Sequence, residues 1–398
     1  MAFVRQIQEF WKGKEARISF ALGVSLFLCI CHYQATPFQY VPLFQLGVFG
    51  VIFITGYVIF GNWKQTQTVG LGPRYLWIPL AIIAGSAVAR LFIQHDSRTL
   101  AGALFMVGMF GLYIASRRYG VKALGVFMPI VVIGALSVII QGIVWPSYAG
   151  NAGLFNNYAI AAEFLVFGWA VSSPKHQWWL AALVIVALFF SAAPEAIFYV
   201  AIMGLVVLLR KDLGKKIALP LGALGLCLVI ATPLGFTQQL WARSFSMLGM
   251  TYKAVSDSTL TSSEQSLLLN RATDDRWLGT WQLSRSVSPL GHGLDVTNAI
   301  VISDPSFKVP HFIMLLITDQ LGPIAAGAWL FAIIVGFVKT KWKYACLALG
   351  IFGVFQPFVW TQLAPYMWVT IGVASSSERG AYVFKDYRVG ELDAVAAI

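Results

Sequence analysis

Apolar residues fill most of this chain in runs of roughly 17–25, the length a helix needs to cross ~30 Å of hydrocarbon. Leu124–Ile143 is one such run, and Val309–Val338 contains another. The runs show no period-two alternation, which argues against a membrane barrel. Lipid cannot satisfy a free backbone amide, so each run is predicted to be a helix. Spans are expected at about 17–34, 38–60, 75–94, 99–116, 121–145, 153–172, 177–191, 194–210, 216–235, 310–338, 343–360 and 363–376. The fold class is therefore all-α: a polytopic membrane bundle of about twelve spans with one large loop. Residues 1–235 form an N-terminal bundle of about nine spans, 236–309 the loop, and 310–398 the last spans and a tail.

Composition agrees with this pattern. Of 398 residues, 58% are hydrophobic and only 11% charged, too little charge to cover a soluble surface of this length. A net charge of +11 would suit a nucleic-acid partner, but its distribution does not. The basic residues sit in short clusters at every second connection, for example Arg117, Arg118 and Lys122, then Arg210, Lys211, Lys215 and Lys216. That is the positive-inside pattern; it puts both termini in the cytoplasm and 236–309 outside. The four cysteines (Cys29, Cys31, Cys227, Cys346) lie inside apolar runs and offer no extracellular disulfide framework. No small-residue cleavage site follows Ile18–Tyr33, so that run reads as a span rather than a signal peptide.

The loop alone has a soluble composition. Arg243, Lys253, Arg271, Arg276, Arg285 and Lys308 balance Asp257, Glu264, Asp274, Asp275, Asp295 and Asp304. Ser and Thr crowd Ser256–Ser266, which predicts a flexible stretch. Leu267–Val287 reads as a helix that stops at Pro289 and the turn Gly291-His292-Gly293. That turn follows no strand, so it is no dinucleotide fingerprint. A loop of this length in a compact protein usually carries function.

Several residues could carry chemistry. His311 stands where the loop re-enters the membrane and could take a proton from a hydroxyl, or could simply bond a carbonyl at the interface. Arg271, Arg276 and Arg285, with Trp277 and Trp281 among them, could clamp phosphate oxygens while the indoles meet sugar or headgroups. The same residues could form a solvated helix paired with Asp274 and Asp275. Within the spans, Glu163 is a costly buried charge, with Asn156 and Asn157 near it, whereas Arg90 and Glu195 stand near outer span ends, where snorkelling is cheap. His292, Asp295, Asp304 and His311 lack compact ligand spacing; no metal and no other cofactor is expected.

In this order the features resemble the O-antigen ligase and polymerase family, enzymes that transfer undecaprenyl-diphosphate-linked glycans outside the bacterial cytoplasmic membrane. The resemblance rests on Arg276 and Trp281, on Pro289-Leu290-Gly291-His292-Gly293, on His311, and on Gly322 eleven residues after it. Gly153-Leu154-Phe155-Asn156-Asn157 is similar to the stretch that opens a middle span in the family. The chain departs at Phe312, at Ala325, and at Ser191-Ala192-Ala193-Pro194-Glu195, where many members carry Ser-Arg-Gly. The resemblance implies that Arg276 and Arg271, with Arg285 in reserve, neutralise the donor diphosphate and that His311 deprotonates the acceptor. Gly291, Gly293 and Gly322 would shape turns. The acceptor would be lipid A core for a ligase or a growing glycan for a polymerase. A transporter or flippase of a lipid-linked glycan is the reading from another class.

Overall fold

The computed structural model describes residues 13–31, 43–61, 70–125, 127–145, 150–155, 158–171, 177–191, 288–293, 312–339 and 364–376. It adds short stretches at 193, 199–200, 203–204, 253, 256–265, 346 and 349–350. Among these the protein is all-helical, with no strand and a lone bridge between Cys31 and Phe155. We number the helices α1 (Lys14–Ile30), α2 (Leu43–Gly61), α3 (Arg74–Leu91), α4 (Ser97–Gly125), α5 (Phe127–Val144), α6 (Tyr158–Val171) and α7 (Gln177–Ser191). They continue with α8 (Ile313–Leu321), α9 (Pro323–Lys339) and α10 (Ala364–Ser376).

Local chemistry sets several helix ends. Extended Pro73 precedes α3, and the Asp96 carboxylate accepts the Thr99 N–H at 2.7 Å at the start of α4, satisfying an amide that has no partner inside the helix. At the other end of the described chain, α8 stops at Gly322, whose φ of +90° no other residue adopts comfortably. Pro323 then opens α9, where its missing N–H costs nothing.

Helix α4 is the hub. It packs against α1, α2, α3 and α10 and touches α5. A Cβ on Gly372 of α10 would lie 2.6 Å from the Tyr113 carbonyl oxygen of α4, so the two backbones approach more closely than alanine permits. The buried Tyr366 hydroxyl of α10 donates to the Leu26 carbonyl of α1. Helices α5, α6 and α7 pack on one another, while α8 and α9 lie against α3.

The outward surface is apolar. On α2, Phe49, Phe53 and Phe60 are 69%, 77% and 80% exposed, spaced along one helical stripe. Patches of this kind are rare on soluble monomers. Among the described residues two stretches, Arg74–Leu91 and Thr99–Tyr119, are long and apolar enough to cross a membrane, and six further apolar helices are shorter.

The expected pattern of spans needs three corrections. The run drawn as one span over 310–338 is two helices, broken at Gly322. The basic residues Arg117, Arg118 and Lys122 do not sit in a connection; they ride on α4, which continues to Gly125. At 1.5 Å per residue its 29 residues reach about 43 Å, longer than the ~30 Å thickness of a hydrocarbon layer. The Ser/Thr-rich stretch, expected to be flexible, contains hydrogen-bonded turns. Asp257 accepts from the Thr259 amide at 3.0 Å. The Thr261 amide donates to Glu264 at 2.8 Å, and the Glu264 amide donates back to the Thr261 hydroxyl at 3.3 Å. This reciprocal capping box orders a polar segment without a core. The spans expected at 194–210, 216–235 and 343–360, and the helix expected at 267–287, lie outside the described residues apart from short fragments.

Candidate functional site

Two of the sequence elements singled out above meet in space. The Pro289–Gly293 turn sits on the break between α8 and α9, some thirty residues later in the chain. The His292 amide donates to the Asp319 carbonyl at 2.5 Å, and the Gly293 amide to the Gln320 carbonyl at 3.1 Å. The fit leaves no room for side chains. A Cβ on Gly322 would fall 2.9 Å from the Pro289 carbonyl carbon and closer still to its oxygen; one on Gly291 would fall 2.6 Å from the Leu321 amide nitrogen. Both glycines also have positive φ. All three glycines expected to shape turns, Gly291, Gly293 and Gly322, belong to this one junction.

The end of α3 completes it. The Gln94 side-chain amide donates to the His292 carbonyl at 3.1 Å. His292 Nδ1 lies 3.1 Å from Asp319 Oδ1, with the imidazole 29% exposed and the carboxylate only 2%. The buried carboxylate faces Nδ1 and so orients the ring. Sequence reasoning weighed His292 only as part of a turn and as a metal ligand, and passed over Asp319 and Gln320. A carboxylate inside an apolar run is itself a signal, and applied at position 319 it would have found this pair.

Arg90 stands in the last turn of α3, at the helix end where the sequence put it, and the residue is 7% exposed. Its Nε makes no hydrogen bond. Gln94, which follows by one turn (its amide donates to the Arg90 carbonyl at 2.8 Å), and Gln320 each keep a buried Oε1 with no hydrogen-bond partner.

A second polar region joins α5, α6 and α7. Glu163 is fully buried and accepts from the Tyr199 hydroxyl at 2.9 Å, so it has a specific partner at depth. The Asn151 side chain donates to the Phe190 carbonyl at 2.6 Å, and the Gly153 amide donates to the Gln141 side chain at 2.6 Å. The glycine-rich stretch is thereby tied to the end of α7, next to the turn that departs from Ser-Arg-Gly.

No protein-family model, curated protein or solved structure matches this chain.

Of the predicted site residues, His311, Arg271, Arg276, Arg285, Trp277, Trp281, Asn156, Asn157 and Glu195 lie outside the described residues. Glu163, Gly291, Gly293 and Gly322 lie within them, and Glu163 belongs to a different region from the three glycines. Among the described residues no three His, Cys, Asp or Glu side chains converge to hold a metal. An open apolar groove of 430 Å³ runs between α3 and α9, lined by Ile78, Pro79, Ile324 and Phe331 among others. Ile324 stands two residues past the helix break, so the groove and the polar junction share the start of α9.

Proposed function

We propose that this chain is an O-antigen ligase-like glycosyltransferase of the bacterial inner membrane. In this reading it has about twelve spans, both termini in the cytoplasm, and the 236–309 loop in the periplasm. One observation carries the proposal. The glycine turn and the Gly322 break, which the resemblance requires as separate pieces, are clasped together by backbone hydrogen bonds. A polar clasp beside an apolar groove suits a donor with a diphosphate head and a polyprenyl tail. The exposed apolar stripe on α2 supports the membrane setting. So does the bond between Gln94 and His292, since positive-inside topology puts both on the outer side.

The reaction is an acyl-free displacement at the anomeric carbon. An acceptor hydroxyl oxygen forms the new glycosidic bond, the bond to the diphosphate oxygen breaks, and undecaprenyl diphosphate leaves with the electron pair. Arg276 and Arg271, with Arg285 in reserve, neutralise charge on the departing diphosphate. His311 takes the hydroxyl proton. Trp277 and Trp281 contact sugar or lipid.

The test is transfer by the purified protein in nanodiscs from a labelled undecaprenyl-diphosphate-linked glycan. Label on lipid A core identifies a ligase, and label on a longer glycan a polymerase. Absence of transfer to either, with the donor moved across the bilayer instead, would replace this reading by a flippase.

A further inference from the structure

We propose that the groove between α3 and α9 seats one tail of an anionic phospholipid of the bilayer, with the lipid's phosphate held at Arg74. The proposal rests on the membrane setting given above and not on the transfer reaction.

The groove has the size and lining of a lipid site. Its 430 Å³ falls within the range of ligand pockets, about 300–1,000 Å³. Ile78 and Ile82 of α3 line it together with Ile324 and Phe331 of α9. Ile78, Ile324 and Phe331 are exposed, so the groove opens outward, toward hydrocarbon in a bilayer. Gly327 widens it, because a Cβ there would meet nothing within 4 Å.

Charge selects the kind of lipid. Among the described residues Arg74, the first of α3, is the one charge on the groove's wall. A second guanidinium stands close by. The Arg117 side chain of α4 donates to the Gly70 carbonyl, and a Cβ on Gly72 would lie 2.8 Å from Arg117 Cζ. The Tyr113 hydroxyl donates to the Leu71 carbonyl at 2.7 Å, so the segment that leads into α3 is fastened to α4. These bonds bring two arginines to one end of α3, and in the proposed topology that end is cytoplasmic. Basic pockets between spans on that side suit anionic headgroups, and guanidinium forks match phosphate oxygens.

The position of the head separates a bilayer phospholipid from a glycan donor. The donor's diphosphate is proposed at the clasp, which Gln94 joins from the far end of α3. The helix between them has 18 residues and is about 27 Å long. A lipid with its phosphate at Arg74 cannot place that phosphate at the clasp as well.

The experiment is native mass spectrometry of the full-length protein released from nanodiscs. These contain equal amounts of phosphatidylglycerol and phosphatidylethanolamine with identical tails. Wild type should retain phosphatidylglycerol in preference by about fivefold, the effect of one arginine beside an anionic lipid surface. Arg74→Gln should bring the two lipids to parity, and Arg74→Lys should keep most of the preference. Gly327→Leu fills the groove and should lower retention of both lipids at wild-type thermal stability in detergent. Equal retention by wild type, or an unchanged preference in Arg74→Gln, would overturn the headgroup site. Undiminished retention in Gly327→Leu would overturn the groove as its seat. Two rival occupants overturn the proposal in their own ways. Displacement of phosphatidylglycerol by undecaprenyl phosphate, with loss of glycan transfer in Gly327→Leu, would give the groove to the donor. A lipid-free dimer that Gly327→Leu dissociates would give it to a second copy. The outcomes stay separable from the proposed function: selective retention without any transfer leaves this site standing without the enzyme, and transfer with equal retention leaves the enzyme standing without this site.

Discussion

Gly322→Ala puts the clasp between turn and helix break to its sharpest test. The backbone at Gly322, φ +90° and ψ 165°, lies where only glycine is comfortable, so an alanine there carries ~1–3 kcal/mol of strain. Its Cβ would also collide with the backbone of Pro289, which cannot swing aside as a flexible side chain would. The turn must move, and the hydrogen bonds from the His292 and Gly293 amides go with it, each worth ~0.5–1.5 kcal/mol. Together these effects amount to roughly 2–6 kcal/mol, concentrated at the clasp. Hydrogen exchange at the His292 and Gly293 amides reads it directly. Opening by even 2 kcal/mol accelerates exchange about 30-fold, and the rest of α3 and α4 should be little changed. Gly85→Ala is the matched control: it lies within α3, and a Cβ there meets nothing within 4 Å. Removing a helix-interior glycine in open space stabilises by ~0.5–1 kcal/mol. If Gly322→Ala and Gly85→Ala give the same exchange at residues 292 and 293, the clasp does not hold the turn and the reasoning fails.

Three further predictions follow from the proposed reaction and topology. A cysteine at Ser262, an exposed position, should be labelled by a membrane-impermeant thiol reagent from the periplasmic side; labelling only after the inner membrane is broken would invert the topology. Arg276→Lys keeps the charge but loses the fork, so transfer should drop by about one to two decades, and full activity at normal expression would favour a solvated ion-paired helix. His311→Gln cannot accept a proton and should lose about 10²–10⁴-fold in rate, while in wild type the rate should rise with pH through roughly 6–7 as an imidazole becomes neutral; wild-type turnover in His311→Gln would remove it as the base.

Hydropathy made the helical class legible because apolar runs of this length without period-two alternation fit helices and not strands. The apolar runs at 75–94 and 177–191 correspond closely to α3 and α7. The break at Gly322 was not legible from hydropathy, because Val309–Val338 is apolar on both sides of it. Only the dipeptide Gly322-Pro323 betrays it, as a positive-φ stop followed by a first-turn proline. Arg90 was legible as a residue near a helix end, but distance along a run says nothing about how deeply its neighbours cover it. Thr261 and Glu264 show the opposite failure. Polar composition suggested flexibility, while the Thr-x-x-Glu spacing already encoded a cap. His292 was discounted for lack of partners nearby in sequence, and its partner, Asp319, is 27 residues away.

The hydrogen bond from Tyr366 to the Leu26 carbonyl has a consequence for how the protein is made. It joins residues 340 positions apart, and α10 also supplies a principal wall of the hub helix α4. Ribosomes add about 5–20 residues per second, so α1 and α4 emerge some tens of seconds before the helix that covers them. For that interval Tyr113 and Ser116, buried in the finished protein, stand uncovered beside a seat shaped for Gly372. Closure is thus a late event of biosynthesis. Ribosome stalling or premature termination after α9 would leave a partly packed chain whose vacant seat is what quality-control proteases and chaperones would meet.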